Sequence, residues 1–118
     1  MSEIQIDRIQ IKALSVNECW QGRRFKTKAY LSYEKEMLFR LRRRATPSAP
    51  LRLIVGIGFS NAQSDLDNVL KPLLDILQKK YGFNDKDVHE ILLRKHKAKK
   101  GEEWIAFNLE SMNKYDLL

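Results

Sequence analysis

The chain has 118 residues, 43% of them hydrophobic and 31% charged, with a formal net charge of +7. That length supports one domain with a single modest core, and this composition excludes a disordered tail. No apolar run approaches the ~20 residues of a membrane span, no signal-peptide pattern opens the chain, and one cysteine with two histidines excludes an internal disulfide and a zinc set, which points to the cytoplasm.

Residues Glu3 to Leu14 place Ile4, Ile6, Ile9, Ile11 and Leu14 near period two, with a slip at Asp7-Arg8. This predicts a strand, or a strand pair with a bulge. Ser15 to Arg24 reads as a loop. From Lys28 to Arg44, Tyr30, Tyr33, Met37, Leu38 and Leu41 recur at helical spacing behind Thr27 as N-cap. Arg40, Arg42, Arg43 and Arg44 suit the negative end of that helix dipole, and Thr46-Pro47-Ser48-Ala49-Pro50 breaks the helix.

Leu51 to Ser60 is nearly continuous in apolar and β-branched residues, as expected of a central strand covered on both faces. Gly56 and Gly58 permit close backbone approach. A second helix is expected from about Leu66 to about Lys80, with Leu66, Val69, Leu70, Leu73, Leu74 and Leu77 on its apolar face. Ser64 and Asp67 fit a capping box, Pro72 bends the helix and Gly82 ends it. After a turn at Phe83 to Asp87, strands from Val88 to about Lys97 and from Glu103 to Leu109 flank Lys99-Lys100-Gly101-Glu102 and read as a hairpin. The tail from Glu110 to Leu118 is expected to be loosely held. The whole is one α+β domain over residues 1–118, a mixed sheet with two main helices, in the order strand-helix-strand-helix-strand-strand.

The residues that carry chemistry lie between Ser64 and Asp75. At ~100° per residue, Asp65 and Asp67 fall on nearly opposite sides of a helix. They converge only if Asp65 is still extended, where alternate side chains share a side. Lys71 follows Asp67 by four residues and shares its face. Paired carboxylates in a basic protein suit a hard divalent cation, which takes one or two carboxylates plus water and phosphate oxygens and can activate water against a phosphodiester. Lys71 would stabilise the charge that develops. Asp85 or Asp87, in the turn after the helix, is the nearest source of a third carboxylate. The plainer alternative is an acidic first turn favoured by the helix dipole, with Asp67 and Lys71 as an ordinary i,i+4 pair.

The segment Asp65-Leu66-Asp67-Asn68-x-x-Lys71, followed by Asn84-Asp85-Lys86-Asp87-Val88, resembles the RusA family of Holliday junction endonucleases. The resemblance extends to Ser15-Val16-Asn17, to the basic loop after it and to the order of elements. It implies a RusA-like fold and a homodimeric endodeoxyribonuclease that uses Mg2+, or Mn2+ in its place, to nick opposing strands of four-way DNA junctions in recombination and repair. Asp65, Asp67 and Asp85 would then be the metal-binding and catalytic carboxylates, and Lys71 the basic catalytic residue. Asn84 stands where the family often carries a first acid, and Asp87 where a neutral polar residue is usual, so Asp87 competes with Asp85. A helix from Asp67 to Lys80 carries the chain about 20 Å away, and five residues from Lys80 to Asp85 span at most ~17 Å. Asp85 meets its own Asp65 only if the helix ends early and the chain doubles straight back. Otherwise the third carboxylate comes from another subunit of a dimer whose acidic clusters lie near the two-fold axis.

The positive charge favours a polyanion, because each lysine or arginine seated at a phosphate releases counterions. Only Glu34 and Glu36 oppose the basic residues between Arg23 and Arg44, and a second basic run spans Arg94 to Lys100. Junction DNA spreads its phosphates widely, so distributed contacts are expected. They fall on Arg23, Arg24, Lys26 and Lys28 around the loop, on Arg42, Arg43 and Arg44 at the helix end, and on the segment Lys95 to Lys100, with Lys97, Lys99 and Lys100 as its contacts. Asn17 joins them through the resemblance. Trp20 either stacks on a base or packs in the core, whereas Tyr30 and Tyr33 belong to the core. Two other functions share these residues. One is a catalytically silent nucleic-acid-binding module, and the other a nuclease acting on other branched DNA or on RNA.

Overall fold

The computed structural model describes residues 6–22 and 25–113. Its organising strand is β4 (Leu51–Phe59), the most apolar stretch of the chain, and so the one whose two edges most need backbone partners. The sheet is mixed and ordered β1 (Asp7–Ile9), β6 (Trp104–Ser111), β4, β5 (Val88–Lys97). β1 is antiparallel to β6, β6 is antiparallel to β4, and β5 runs parallel to β4. Parallel neighbours need a crossover, and α2 (Leu66–Tyr81) supplies it. With α1 (Lys28–Arg40), this gives an α+β fold of one mixed sheet and two main helices.

The expected hairpin between the last two strands does not form, because β4 lies between them. α2 returns the chain to the start of β4, so β5 covers one edge in parallel and leaves the other edge bare. β6 fills that edge, and the connection to it crosses the end of β4, where the Ala98 N–H donates to the Phe59 carbonyl at 2.9 Å.

Both helices pack on one face of the sheet. Leu53, Val55 and Ile57 of β4, with Ile105, Phe107 and Leu109 beside them, meet Val69, Leu73, Ile76 and Leu77 of α2 and Tyr30, Tyr33 and Met37 of α1. Full burial contributes about 1.5–3 kcal/mol for each such large apolar side chain. Among the described residues the opposite face carries no helix, so burial along β4 alternates over most of its length, contrary to the expected two-sided cover. Cross-strand rows can be read on that open face from the start of β4 to its end. They are Glu90–Arg52–Glu110, then Leu92–Ile54–Asn108, then Arg94–Gly56–Ala106–Arg8, then His96–Gly58–Trp104. A Cβ at Gly58 would collide with the Trp104 indole. The close approach at this glycine is therefore made by a side chain of the same protein. Arg8 stacks 4.3 Å over Trp104, whose ring lies 5.0 Å from His96.

Local differences have local causes. The first strand covers only Asp7–Ile9, and Glu3 to Gln5 lie outside the described residues. Ser15 to Arg24 is more ordered than a loop. Ser15 caps a 3-10 turn (Val16–Glu18) through a reciprocal box with Glu18, and β2 (Trp20–Gln21) pairs with β3 (Phe25–Lys26) in a small ribbon. α1 starts behind Thr27, whose hydroxyl accepts from the Tyr30 N–H at 3.1 Å as predicted, but ends at Arg40. Leu41 turns to extended backbone and is buried in the core. Arg42, Arg43 and Arg44 therefore lie beyond the helix, and the dipole argument does not apply to them. At the C-terminal side, Glu110 and Ser111 extend β6 and the Met112 N–H bonds to the Pro50 carbonyl at 2.9 Å, so this part of the tail is tied down. Residues 114–118 lie outside the described residues.

Candidate active site

The β4–α2 junction stands at the carboxyl end of the parallel strand pair, the end at which open α/β sheets place ligand-binding loops. Asp65 is the N-cap of α2 and is extended (φ −100, ψ 131), the setting that lets it share a side with Asp67. Its carboxylate accepts no helix N–H. Its hydrogen-bond donor among the described residues is the Asn68 side-chain amide, at a long 3.4 Å. The expected box between Ser64 and Asp67 is absent, because the helix starts one residue later and both backbone groups of Ser64 are engaged elsewhere. The Ser64 N–H donates to the Asn61 carbonyl at 3.3 Å, and its carbonyl accepts from Lys95 at 2.6 Å. Asp67, in the first turn, is exposed. Among the described residues neither carboxylate has a cationic partner. Two anionic side chains thus face solvent at the positive end of a helix dipole.

Lys71 pairs with Asp75 at 2.9 Å and not with Asp67. The i,i+4 rule favours an acid preceding the base, and that preference hides Asp75, which this geometry selects. The Asp75 hydrogen bond, its charge and the more distant Asp85 carboxylate raise the Lys71 pKa, so the ammonium stays protonated. Asp85 opens a 3-10 turn (Asp85–Asp87) capped by Asn84. Its N–H donates to the Gln78 side chain at 2.8 Å, which itself reaches back to the Leu74 carbonyl, so Asp85 lies alongside α2 and close enough for its charge to act on Lys71. Asp65 and Asp67 thus both belong to the amino end of α2, while Asp85 and Asp87 belong to the turn that follows the helix. Among the described residues there is no group of three His, Cys, Asp or Glu that could hold a metal ion.

No protein-family model matches this chain, and no curated protein does. Among the described residues no helix is long and apolar enough to cross a membrane.

The basic residues divide into those facing solvent and those bonded within the fold. Lys97, Lys99 and Lys100 are exposed at the end of β5 and in the turn after it. Lys97 pairs in register with Phe59, so this group shares an edge with the β4–α2 junction. Lys28, Arg42 and Arg43 are exposed as well, and so is Asn17, in the 3-10 turn that packs on α2. Lys26 is bound to Glu34 at 2.9 Å and lies 5.1 Å over the Tyr30 ring. Glu34 also meets Lys79 at 3.3 Å. Burial alone would raise the Glu34 carboxyl, but hydrogen bonds and charge from both lysines hold it below the ordinary value. Arg44 is engaged within the fold. Its guanidinium, on a side chain 17% exposed, donates to Asp7 at 3.0 Å and to the Asn108 side chain and the Leu109 carbonyl at 3.2 Å. Arg23 and Arg24 lie outside the described residues.

Aromatic residues complete the surface. Trp20 is 42% exposed and edge-on to Tyr30, with 5.7 Å between centroids. Phe25, which no sequence periodicity marks, is 73% exposed on the ribbon. Tyr30 and Tyr33 are buried as expected, and burial pushes the Tyr30 phenol up to about 12.

Proposed function

We propose that this protein is a divalent-metal-dependent endodeoxyribonuclease of the RusA kind, a homodimer that resolves four-way DNA junctions in recombination and repair. The observation that carries the reading is the N-terminus of α2, where an N-cap aspartate does not cap and, among the described residues, a first-turn aspartate has no cationic partner. Carboxylates left in this state suit a hard cation, and Mg2+ is satisfied by one or two of them together with water and phosphate oxygens. Asp65 and Asp67 would hold the ion. When bound, it supplies Lewis-acid activation of water and offsets charge at the scissile phosphate.

The chain's own residues do the rest. Lys71, kept protonated by Asp75, offers its ammonium to a phosphate oxygen as negative charge accumulates. Lys97, Lys99 and Lys100 seat backbone phosphates on the edge that carries the carboxylates, and the exposed Lys28, Arg42 and Arg43 add positive charge elsewhere on the surface. The ribbon adds the exposed faces of Trp20 and Phe25, flanking the connection that contains Arg23 and Arg24, as platforms for unstacked bases. The single cysteine, buried and free, fits the reducing cytoplasm.

The open face of the sheet suits a second copy. In its second row Ile54 lies beside Leu92, which is 49% exposed, with Asn108 on the other side. Its ends differ in sign. Glu90 and Glu110 flank Arg52 near the start of β4, whereas Arg94 and Arg8 share a row toward its end. Two copies packed face to face with strands reversed would set each acidic end against a basic one.

A synthetic four-way junction, incubated with Mg2+ and then with chelator, tests the reading. Cleavage is expected with the metal and none with the chelator, and Asp67→Asn is expected to bind the junction as well or better while cutting nothing. Unchanged cleavage by Asp67→Asn would defeat the mechanism. Equal cutting of flaps, RNA or linear duplex in parallel reactions would redirect the substrate assignment.

A further inference from the structure

Lys95 belongs to a basic run, yet its side chain is engaged within the protein. It stands on β5 opposite Ile57 of β4, and its ammonium lies 5.6 Å from the centre of the Phe59 ring. There it donates to the carbonyl of Ala62 at 2.7 Å and to that of Ser64 at 2.6 Å. Both carbonyls belong to the segment that joins β4 to α2. Within that segment Asn61 forms the turn, accepting from the Gln63 N–H at 2.9 Å through its side chain and from the Ser64 N–H at 3.3 Å through its carbonyl.

The Ser64 carbonyl shares a rigid peptide plane with the Asp65 N–H, so holding one fixes the direction in which the chain enters Asp65. An N-cap residue is ordinarily held by its own side chain bonding back to a helix N–H. Asp65 makes no such bond. The extended backbone at Asp65 is therefore held from outside the helix. Among the described residues, the side chain that reaches across to Ser64 from another strand is Lys95.

We propose that Lys95 is a positioning residue for the Asp65–Asp67 pair, acting through the carbonyls of Ala62 and Ser64 and not on a DNA phosphate. This rests on reading that pair as the metal site. Charge-assisted bonds to two carbonyls tie the junction segment to β5. They hold the carboxylates where one cation can meet both, a geometry that sites of this kind must keep within about 0.5 Å.

The test uses Lys95→Met, Lys95→Arg and, as the contrasting lysine, Lys99→Met. The readouts are amide hydrogen exchange over residues 62–68, the Mg2+ concentration for half-maximal cleavage, the kcat and KM for junction, and the salt dependence of binding. Lys95→Met is expected to speed exchange in 62–68 about tenfold while leaving the strands protected. It should raise the Mg2+ requirement and lower kcat about tenfold, with KM within roughly twofold. Lys95→Arg, which retains a two-pronged donor, should recover most of the loss. Lys99→Met should do the reverse, weakening binding and reducing the salt slope by roughly 0.9 with kcat kept. If Lys95→Met behaves like Lys99→Met, Lys95 is a phosphate contact and the proposal is overturned. Unaltered exchange together with an unaltered Mg2+ requirement overturns it equally. Should the wild-type protein cut no junction, the nuclease reading fails by itself, and exchange over 62–68 still decides the role of Lys95.

Discussion

The two ends of α2 are finished in opposite ways. At the carboxyl end, Gly82 takes the left-handed conformation (φ 73) and its N–H closes onto the Gln78 carbonyl at 2.8 Å. Thr46 bonds to the Tyr81 carbonyl, Lys80 reaches the Leu38 carbonyl at 3.1 Å, and the Gln78 side chain receives the Asp85 N–H. Each polar group there satisfies the backbone or a neighbour. At the amino end, a residue type well suited to capping occupies the cap and does not cap, and the carboxylate of Asp67 faces solvent. Polar side chains at an ordinary terminus complete the helix. Where they are kept from doing so and the backbone is held by another strand, local consistency gives way in the manner of a functional site.

Breaking the amino end should have the largest effect. Asp65→Asn is expected to lower junction cleavage at least about a hundredfold, while stability measured by urea unfolding stays within about 0.5 kcal/mol because no capping bond is lost. A loss of about 1 kcal/mol with little change in cleavage would mean that Asp65 is an ordinary cap and would erase the contrast. At the carboxyl end the pattern should invert. Gly82→Ala forces a side chain into left-handed backbone and should cost about 1 kcal/mol in the same unfolding measurement, with cleavage below the melting range unchanged. A smaller effect belongs to the flank of the helix, where Glu34 meets Lys26 and Lys79. Its folded pKa lies below the ordinary 4.5, so its stabilisation is present above that value and fades as the pH falls through and below it. Glu34→Gln should flatten the decline of Tm on acidification in that window while lowering Tm slightly at neutral pH.

How much of this is legible in the sequence depends on the range of the forces concerned. Thr27 as a cap, Gly82 as a terminator, the apolar stripe of α2 and the core tyrosines are fixed by neighbours within a few residues, and all can be read directly. The extended backbone of Asp65 is legible too, because the requirement that it share a side with Asp67 admits little else. Strand pairing is not. The last two strands have the spacing and turn of a hairpin, but the pairing is decided by the bare second edge of β4, a demand that arises only once β5 has docked in parallel. The fate of individual cations is similarly nonlocal. Arg44 and Arg43 are adjacent and alike in sequence, yet Asp7 and Asn108 from distant strands claim only Arg44. Lys95 differs from Lys99 for the same reason, since the carbonyls it binds lie some thirty residues earlier in the chain.

β4 is paired along both edges, whereas β1 is held by three residues and each strand of the ribbon by two. On gradual warming the periphery should melt first, taking the exposed Trp20 and Phe25 with it, while β4 and its two neighbours persist until global unfolding. On the proposed function, heat would then blunt discrimination between substrates before it abolishes cleavage.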